Sequence, residues 1–597
     1  MKNKWLKIIL ALTLAVVTAV CAIACGEGNW KGNVSLTNPG NVIKNGGFVI
    51  ETNNYVYFIN GEEDYTASNK LGTPVKGALM VAEKSALANG NVEPKTVVSK
   101  VISSGDYSAG IYLFGDQIYY ATPSTKKDSN GKVANDYLEF CSTSFDGNKR
   151  TEYLTVNGNA TAYRFAEKDG TVYVIYYDSE SSSIVSYDTK QGKSSTLVES
   201  PASYNFLDND AIKSTGIAFI YTESVKDEST GNAENFNKVF AYTVGAEKAE
   251  EVLTGKKNNL DNITYAVTFV DGENVFFTAT PATDSALVKT YSANVKELED
   301  ETKYNLYKDS ALAVKTNLFV DGKVYTINTT DGTIVEYSEY ADGNYGYVKA
   351  VAKVGASTLL FKEGNYVYYV NSSTELARVD VTNVDGGNEE RVSTGTIVSD
   401  WYEVTLADGY VFWLDSTAEG LSYVNYVATN TVATAEDTDD DGEDDKWYID
   451  GVNKLSVIAD EDKVSIVSAK ISALSSISKI VYDAEEDKYV DEEKIKGARE
   501  AYDALDSKLQ KELAEEYEVL TNYEGYLQVS KLMKVLVDAE SEGVEITTAN
   551  SSEWQDKIDE IEKIIDANEW ANPDTFLIEN GMFAKQEIQK LIDALND

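Results

Sequence analysis

Histidine is absent from all 597 residues. That excludes serine or cysteine catalysis through an imidazole base and every histidine-ligated metal site. Cysteine is nearly absent as well, with Cys21, Cys25 and Cys141 alone. Cys21 lies within an apolar leader and Cys25 at its end, so Cys141 is left without a partner for a disulfide and without companions for a zinc site. In Tyr137-Leu138-Glu139-Phe140-Cys141 it reads as a small buried hydrophobe. Bases are scarce, 53 Lys and Arg against 97 Asp and Glu, for a net charge of −44. Such a chain repels nucleic acid and anionic lipid and tolerates basic proteins, cationic wall components or divalent cations. After residue 25 no apolar run is long enough to span a bilayer.

What is present is the composition of a folded protein, 43% apolar, 25% charged and 11% aromatic. The length points to more than one domain, because single cores stop growing near about 250–300 residues. Lys2, Lys4 and Lys7 precede a charge-free stretch from Ile8 to Ala24, which is the layout of a secretory signal. An uncleaved membrane anchor and free secretion are the other readings of that stretch. The small residues of Ala22-Ile23-Ala24-Cys25 resemble the lipobox of bacterial lipoproteins, with Ala22 where that family usually carries Leu. The resemblance implies cleavage after residue 24, lipid on Cys25, a tether over 25–40, and a protein held at the outer face of a bacterial cytoplasmic membrane. Removing the signal would cost three lysines and make the mature chain still more acidic.

Between residues 41 and 435 one pattern recurs. A short β-branched and aromatic run begins at Val56, Ile118, Val172, Ile217, Val275, Val324, Val367 and Val411, at intervals of 62, 54, 45, 58, 49, 43 and 44 residues. That is the spacing of propeller blades. Each run is apolar on both faces, as the inner strands of stacked blades must be. Asp321-Gly322, Asp271-Gly272 and Asp331-Gly332 supply turns, and the copy at Val367 shows four strand-like pieces from Ser357 to Ser393. The expected fold class is therefore mainly β, a seven- or eight-bladed β-propeller followed by a small all-α helical bundle. Strands such as Val367-Tyr368-Tyr369-Val370-Asn371, the piece Ala377-Arg378-Val379-Asp380 and the Asp-Gly turns look like the propeller of low-density-lipoprotein-receptor type. They are similar also to the bacterial lipoprotein domain of unknown function 5050, and Phe412-Trp413-Leu414-Asp415 is the nearest match to the Tyr-Trp-Thr-Asp strand. The resemblance implies binding rather than catalysis. The aromatic strands read as core, and tyrosines free to meet a ligand are expected in loops, at Tyr340, Tyr345 and Tyr347.

Residues 436–460 read as an acidic linker or closing strands. Asp437-x-Asp439-x-Asp441-Gly442 has the alternating donors and turn glycine of a calcium loop, but its twelfth position is Tyr448 and no helix pair flanks it. A solvated linker is the first reading and calcium on Asp437, Asp439 and Asp441 the second. Trp447-Tyr448-Ile449 and Leu455 to Ile458 are expected to complete the last blade. From 461 to 597 the period becomes helical, with helices expected near 462–481, 491–505 capped by Asp491, 508–518, 522–540, 551–568 and 582–595. Ala498 to Leu505 and Asn522 to Leu527 resemble a helical repeat of Gram-positive surface proteins, taken as a spacer or adhesion module. The expected function is non-catalytic binding of an extracytoplasmic protein, peptide or glycan. Carboxylate-dependent glycoside hydrolysis and a purely architectural envelope role are the alternatives.

Overall fold

The computed structural model describes residues 42–597 apart from 62–76, 99–100, 102–109, 124–136, 158–161, 228–233, 258–261, 309, 340–344, 383–387, 394–395, 398–403, 417–421, 438–445, 459, 478–479, 484–487, 568–574 and 597. The chain divides into two compact units between Val457 and Ile458. The first is an eight-bladed β-propeller. All eight apolar runs form the second strands of successive blades: Tyr55–Ile59, Gln117–Pro123, Thr171–Asp178, Ile217–Asp227, Asn274–Pro281, Lys323–Ile327, Tyr366–Asn371 and Tyr410–Ser416. Neighbouring strands within each four-stranded blade pair antiparallel in chain order. Burial falls outward, as blade three shows. Its second strand is half buried and otherwise half-exposed, its third is almost wholly buried, and the fourth, Lys193–Glu199, is mostly exposed. The tight Asp321-Gly322 and Asp408-Gly409 turns put both residues at positive φ, the geometry that matches the twist of paired strands.

Residues before the first strand reach blades one, two and four. Ile43 bridges Glu51 of the first inner strand, and the Asn45 side chain imitates a backbone partner for Leu113 of blade two, giving and taking one hydrogen bond each. Gly46 sits at φ +94°, where a Cβ would come 3.0 Å from the Asn209 amide of blade four. Blades one and four are not neighbours in the ring, so this contact joins non-adjacent blades. The helix Asn209–Thr215, capped by the Asp208 carboxylate, thus approaches the segment around Gly46.

The ring closes by side chains, since no described strand is exchanged between blades one and eight. Phe412, Leu414, Val424 and Tyr426 of blade eight share one apolar cluster with Val56, Phe58 and Leu79 of blade one. The Asn60 amide spans the seam, accepting from the backbone N–H of Val457 at 2.9 Å and donating to its carbonyl at 2.7 Å. Lys84 pairs with buried Glu51 and with Asp408 at the same junction.

Blade seven departs from the repeat. Its short fourth strand, Glu390–Arg391, pairs in parallel with Lys446–Ile449, which pairs in turn with Ala433–Glu436. The acidic run thus separates two paired strands. Trp447 to Ile449 extend blade seven rather than complete the last blade, whose fourth strand is Asn453–Lys454. The reason lies at Arg378, 2% exposed, which donates to the carbonyls of Thr429 and Thr431 and so turns the chain leaving blade eight back onto blade seven. The first strand of blade eight is broken into Thr396–Ile397 and Thr405–Ala407, both on Tyr410–Ser416.

In the second unit the helices are Asp460–Leu474, Glu492–Asp503, Ser507–Gln510, Ala514–Ser541, Ser551–Ala567 and Thr575–Asn596. The stretch expected as two helices over 508–518 and 522–540 is mainly one long helix from Ala514. No breaker interrupts it, and Leu520 at the junction is buried. Asp491 precedes the second helix without a side-chain cap bond and pairs with Lys494 instead.

Candidate functional site

Strand alternation in blade eight places Trp413 and Asp415 on one face, where register sets Trp413 opposite Asn425 and Asp415 opposite Tyr423. Lys454 lies opposite Asn425 on the outer side. Trp413 packs into the apolar cluster it shares with Tyr368, Val370 and Leu376 of blade seven, so this face lines the seam between the two blades. Asp415 is 4% exposed. Its Oδ2 accepts from Asn425 Nδ2 at 3.0 Å, and its Oδ1 accepts no hydrogen bond from the described residues. Burial pushes its carboxyl up to about 6, and Glu375 of blade seven pushes the same way. The Trp413 N–H, Asn425 and Lys454 work against that rise, although the indole makes no hydrogen bond of ordinary geometry with the described residues. The Lys454 ammonium sits 3.8 Å from the centre of the Tyr423 ring, and its own pKa is lowered by burial.

Blade seven answers with a paired set of charges. Asn371 Nδ2 donates to Glu375 Oε2 at 3.1 Å and to Glu389 Oε1 at 3.3 Å. The Tyr369 hydroxyl donates to Glu389 Oε2 at 2.8 Å. Arg391 stands 3.6 Å from Glu375 and 3.7 Å from Glu389. Glu375 and Glu389 are therefore compensated, whereas Asp415 is a buried carboxyl with one oxygen unused. Such a group is costly in a core and marks a place where a polar partner is accommodated.

The residues expected to be functional from sequence lie elsewhere. Cys25 is outside the described residues, as are Asp439, Asp441 and Tyr340, while Asp437 follows the strand Ala433–Glu436. Among the described residues no group of three acidic or cysteine side chains is arranged to hold a metal ion. Tyr345 and Tyr347 stand on the outer strand of blade six, Tyr345–Ala352, and not in a loop. Tyr345 stacks on Tyr307 of blade five at 5.1 Å, and Tyr347 is 58% exposed. The signal for the Asp415 site was an acid ending a run otherwise buried on both faces, in the same Phe412-Trp413-Leu414-Asp415 strand that carries the family resemblance.

No protein-family model and no curated protein matches the chain. Solved structures similar to it include a prolyl endopeptidase, 14% identical over 58% of this chain and 48% of that one, with a TM-score of 0.32. Dipeptidyl peptidase 4 of Porphyromonas gingivalis is 11% identical over 66% of this chain and 59% of its own, with a TM-score of 0.36. BamB of Moraxella catarrhalis is 10% identical over 54% of this chain and 97% of its own, at 0.26. The chain spans about half the length of the prolyl endopeptidase and somewhat more of the dipeptidyl peptidase.

Proposed function

We propose that this is a lipid-anchored extracytoplasmic protein, held through Cys25, whose propeller is a non-catalytic binding module for a protein, peptide or glycan. The observation that carries the binding reading is the seam between blades seven and eight. There a buried carboxyl with an unused oxygen lies near Lys454 and a braced Glu–Arg–Glu set. Fixed polar groups of both signs, held by two stacked sheets, suit recognition because their orientation is settled before the partner arrives. The domain of unknown function 5050 remains the family that the strands resemble, and the helical unit serves in this reading as a spacer or second docking module.

The test is retention from envelope extract on the full-length protein and on its Asp415→Asn variant, scored by mass spectrometry and glycan analysis. A partner held by the wild type and reduced at least tenfold by the variant supports the reading; no retention above background by either sinks it. Cys25→Ser should release the protein from the membrane fraction. One observation favours a second reading, glycoside hydrolysis: a carboxyl raised to about 6 beside a second carboxylate is the pairing a general acid needs. Turnover of aryl glycosides that falls more than a hundredfold in Asp415→Asn would establish it.

A further inference from the structure

Blades shield their outer edges unequally. An outer strand leaves one row of N–H and C=O groups unpaired, and natural sheets blunt such edges with brevity, charge or a covering element. Blades five, seven and eight have outer strands of two or three residues, Asn305–Tyr307, Glu390–Arg391 and Asn453–Lys454. Blades three and four place charges there, Lys193 and Glu199, then Glu250 and Glu251. Blade seven is covered as well, by the chain's own Lys446-Trp447-Tyr448-Ile449 added in parallel to Glu390–Arg391.

Blade six is shielded least, by one lysine and two bulges in its pairing with Ile334–Glu339. Its outer strand Tyr345–Ala352 is eight residues long, the longest outer strand of the ring among those described, with Lys349 as its single charge. No described strand pairs with its free side. It is the only described strand to carry exposed large hydrophobics, Tyr347 at 58% and Val348 at 45%. Tyr347 pairs with Tyr337, and Val348 is the extra residue of a bulge before Lys349. Both side chains are exposed at this edge, so an added strand would gain apolar contact as well as backbone hydrogen bonds.

We propose that Tyr345–Ala352 is a docking edge that takes an extended segment rich in basic and aromatic residues as a further strand of blade six. This rests on the binding-module reading and names its partner as a peptide. Two observations choose the occupant. The chain's own cover for the neighbouring blade is a Lys-aromatic-aromatic-Ile strand, which shows what chemistry a blade edge here accepts. The net charge of −44 favours a basic segment and opposes a second copy of this chain. Strand addition of this kind draws affinity from backbone pairing and specificity from alternate side chains.

The test uses the full-length protein and synthetic ten-residue peptides of alternating Val or Tyr with Thr or Lys, made at net charges of about +3, 0 and −3, the electrostatic contrast being the variable. The expected result is binding in the order basic, neutral, acidic, with amide exchange over 345–352 slowed at least tenfold by the basic peptide. Tyr347→Lys with Val348→Lys should weaken that binding at least tenfold, and the milder Tyr347→Ser with Val348→Thr severalfold. Ser194→Lys with Thr196→Lys, on the outer strand of blade three, should change nothing. An unaltered melting temperature shows that the variants fold. Absence of peptide binding, equal binding by the double-lysine variant, or protection confined to other strands overturns the proposal, as does exchange already slowed by dimer formation. An envelope partner still held by the double-lysine variant would sink the edge and leave the binding-module reading intact.

Discussion

Asp415 concentrates the tension between stability and use. Its carboxyl ionises near the ordinary 3.8 in an unfolded chain and at about 6 in the folded one. Well below pH 3.8 it is neutral in both states and costs nothing. As pH rises from 4 to 6 the unfolded chain gives up this proton first, so stability falls by roughly 1.4 kcal/mol for each step of one in pH, about 3 kcal/mol in all. Asp415→Asn keeps the shape without the charge. It should change stability little at pH 4 and raise it clearly at pH 8, read from urea unfolding of both proteins at the two pH values. An equal offset at both would show that the buried charge is not the cause. Arg378 behaves in the opposite sense, because its guanidinium is fully engaged: Nε donates to Glu390 at 2.6 Å, Nη1 to the Tyr368 hydroxyl at 3.2 Å and to the Thr429 carbonyl at 2.8 Å. Lysine cannot reproduce that fork. Arg378→Lys should cost about 2–4 kcal/mol and Arg378→Ala about 3–5, since each leaves buried partners unpaired; a loss under 1 kcal/mol would mean that the chain after blade eight is held by something else.

Among the elements, the ring's seam decides whether eight sheets behave as one body. Asn60 makes two hydrogen bonds to Val457, joining residues at opposite ends of the propeller sequence. Asn60→Ala should cost about 1–3 kcal/mol and quicken amide exchange first in blades one and eight. Uniform quickening around the ring would argue against a local clasp. The eight second strands were legible because a strand covered on both faces must be apolar throughout, and that leaves a mark independent of its partners. The hairpin on blade seven was not legible. Its placement depends on Arg378 meeting carbonyls 51 and 53 residues away, and nothing local at Trp447 distinguishes pairing with blade seven from pairing with blade eight. The same holds for the exposed edge of blade six. Tyr345 and Tyr347 sit among turn-like residues that suggest a loop, and only the antiparallel partner Ile334–Glu339 makes them a strand.

On the scale of the whole molecule, acidity and division into units act together. With 97 acids against 53 bases, the chain must gain its cohesion from apolar burial and local pairing against its own repulsion. Each unit encloses separate apolar clusters. The helical unit has one around Ile471, Leu509 and Leu520 and another around Leu536, Ile561 and Ile588. The change from a two-residue to a helical period after 460 made that division readable, whereas the partition of the helical unit into two clusters follows from how its long helix Ala514–Ser541 is shared. Two units with their own cores should unfold as two calorimetric transitions, the larger enthalpy belonging to the propeller because enthalpy scales with residue number. Leu536 is fully buried, so Leu536→Ala should cost about 2–5 kcal/mol. That loss should lower the smaller transition by several degrees and leave the larger one in place. A single transition that moves as a whole would show that the units unfold cooperatively, and the helical unit would then be part of the propeller's stability rather than a module beside it.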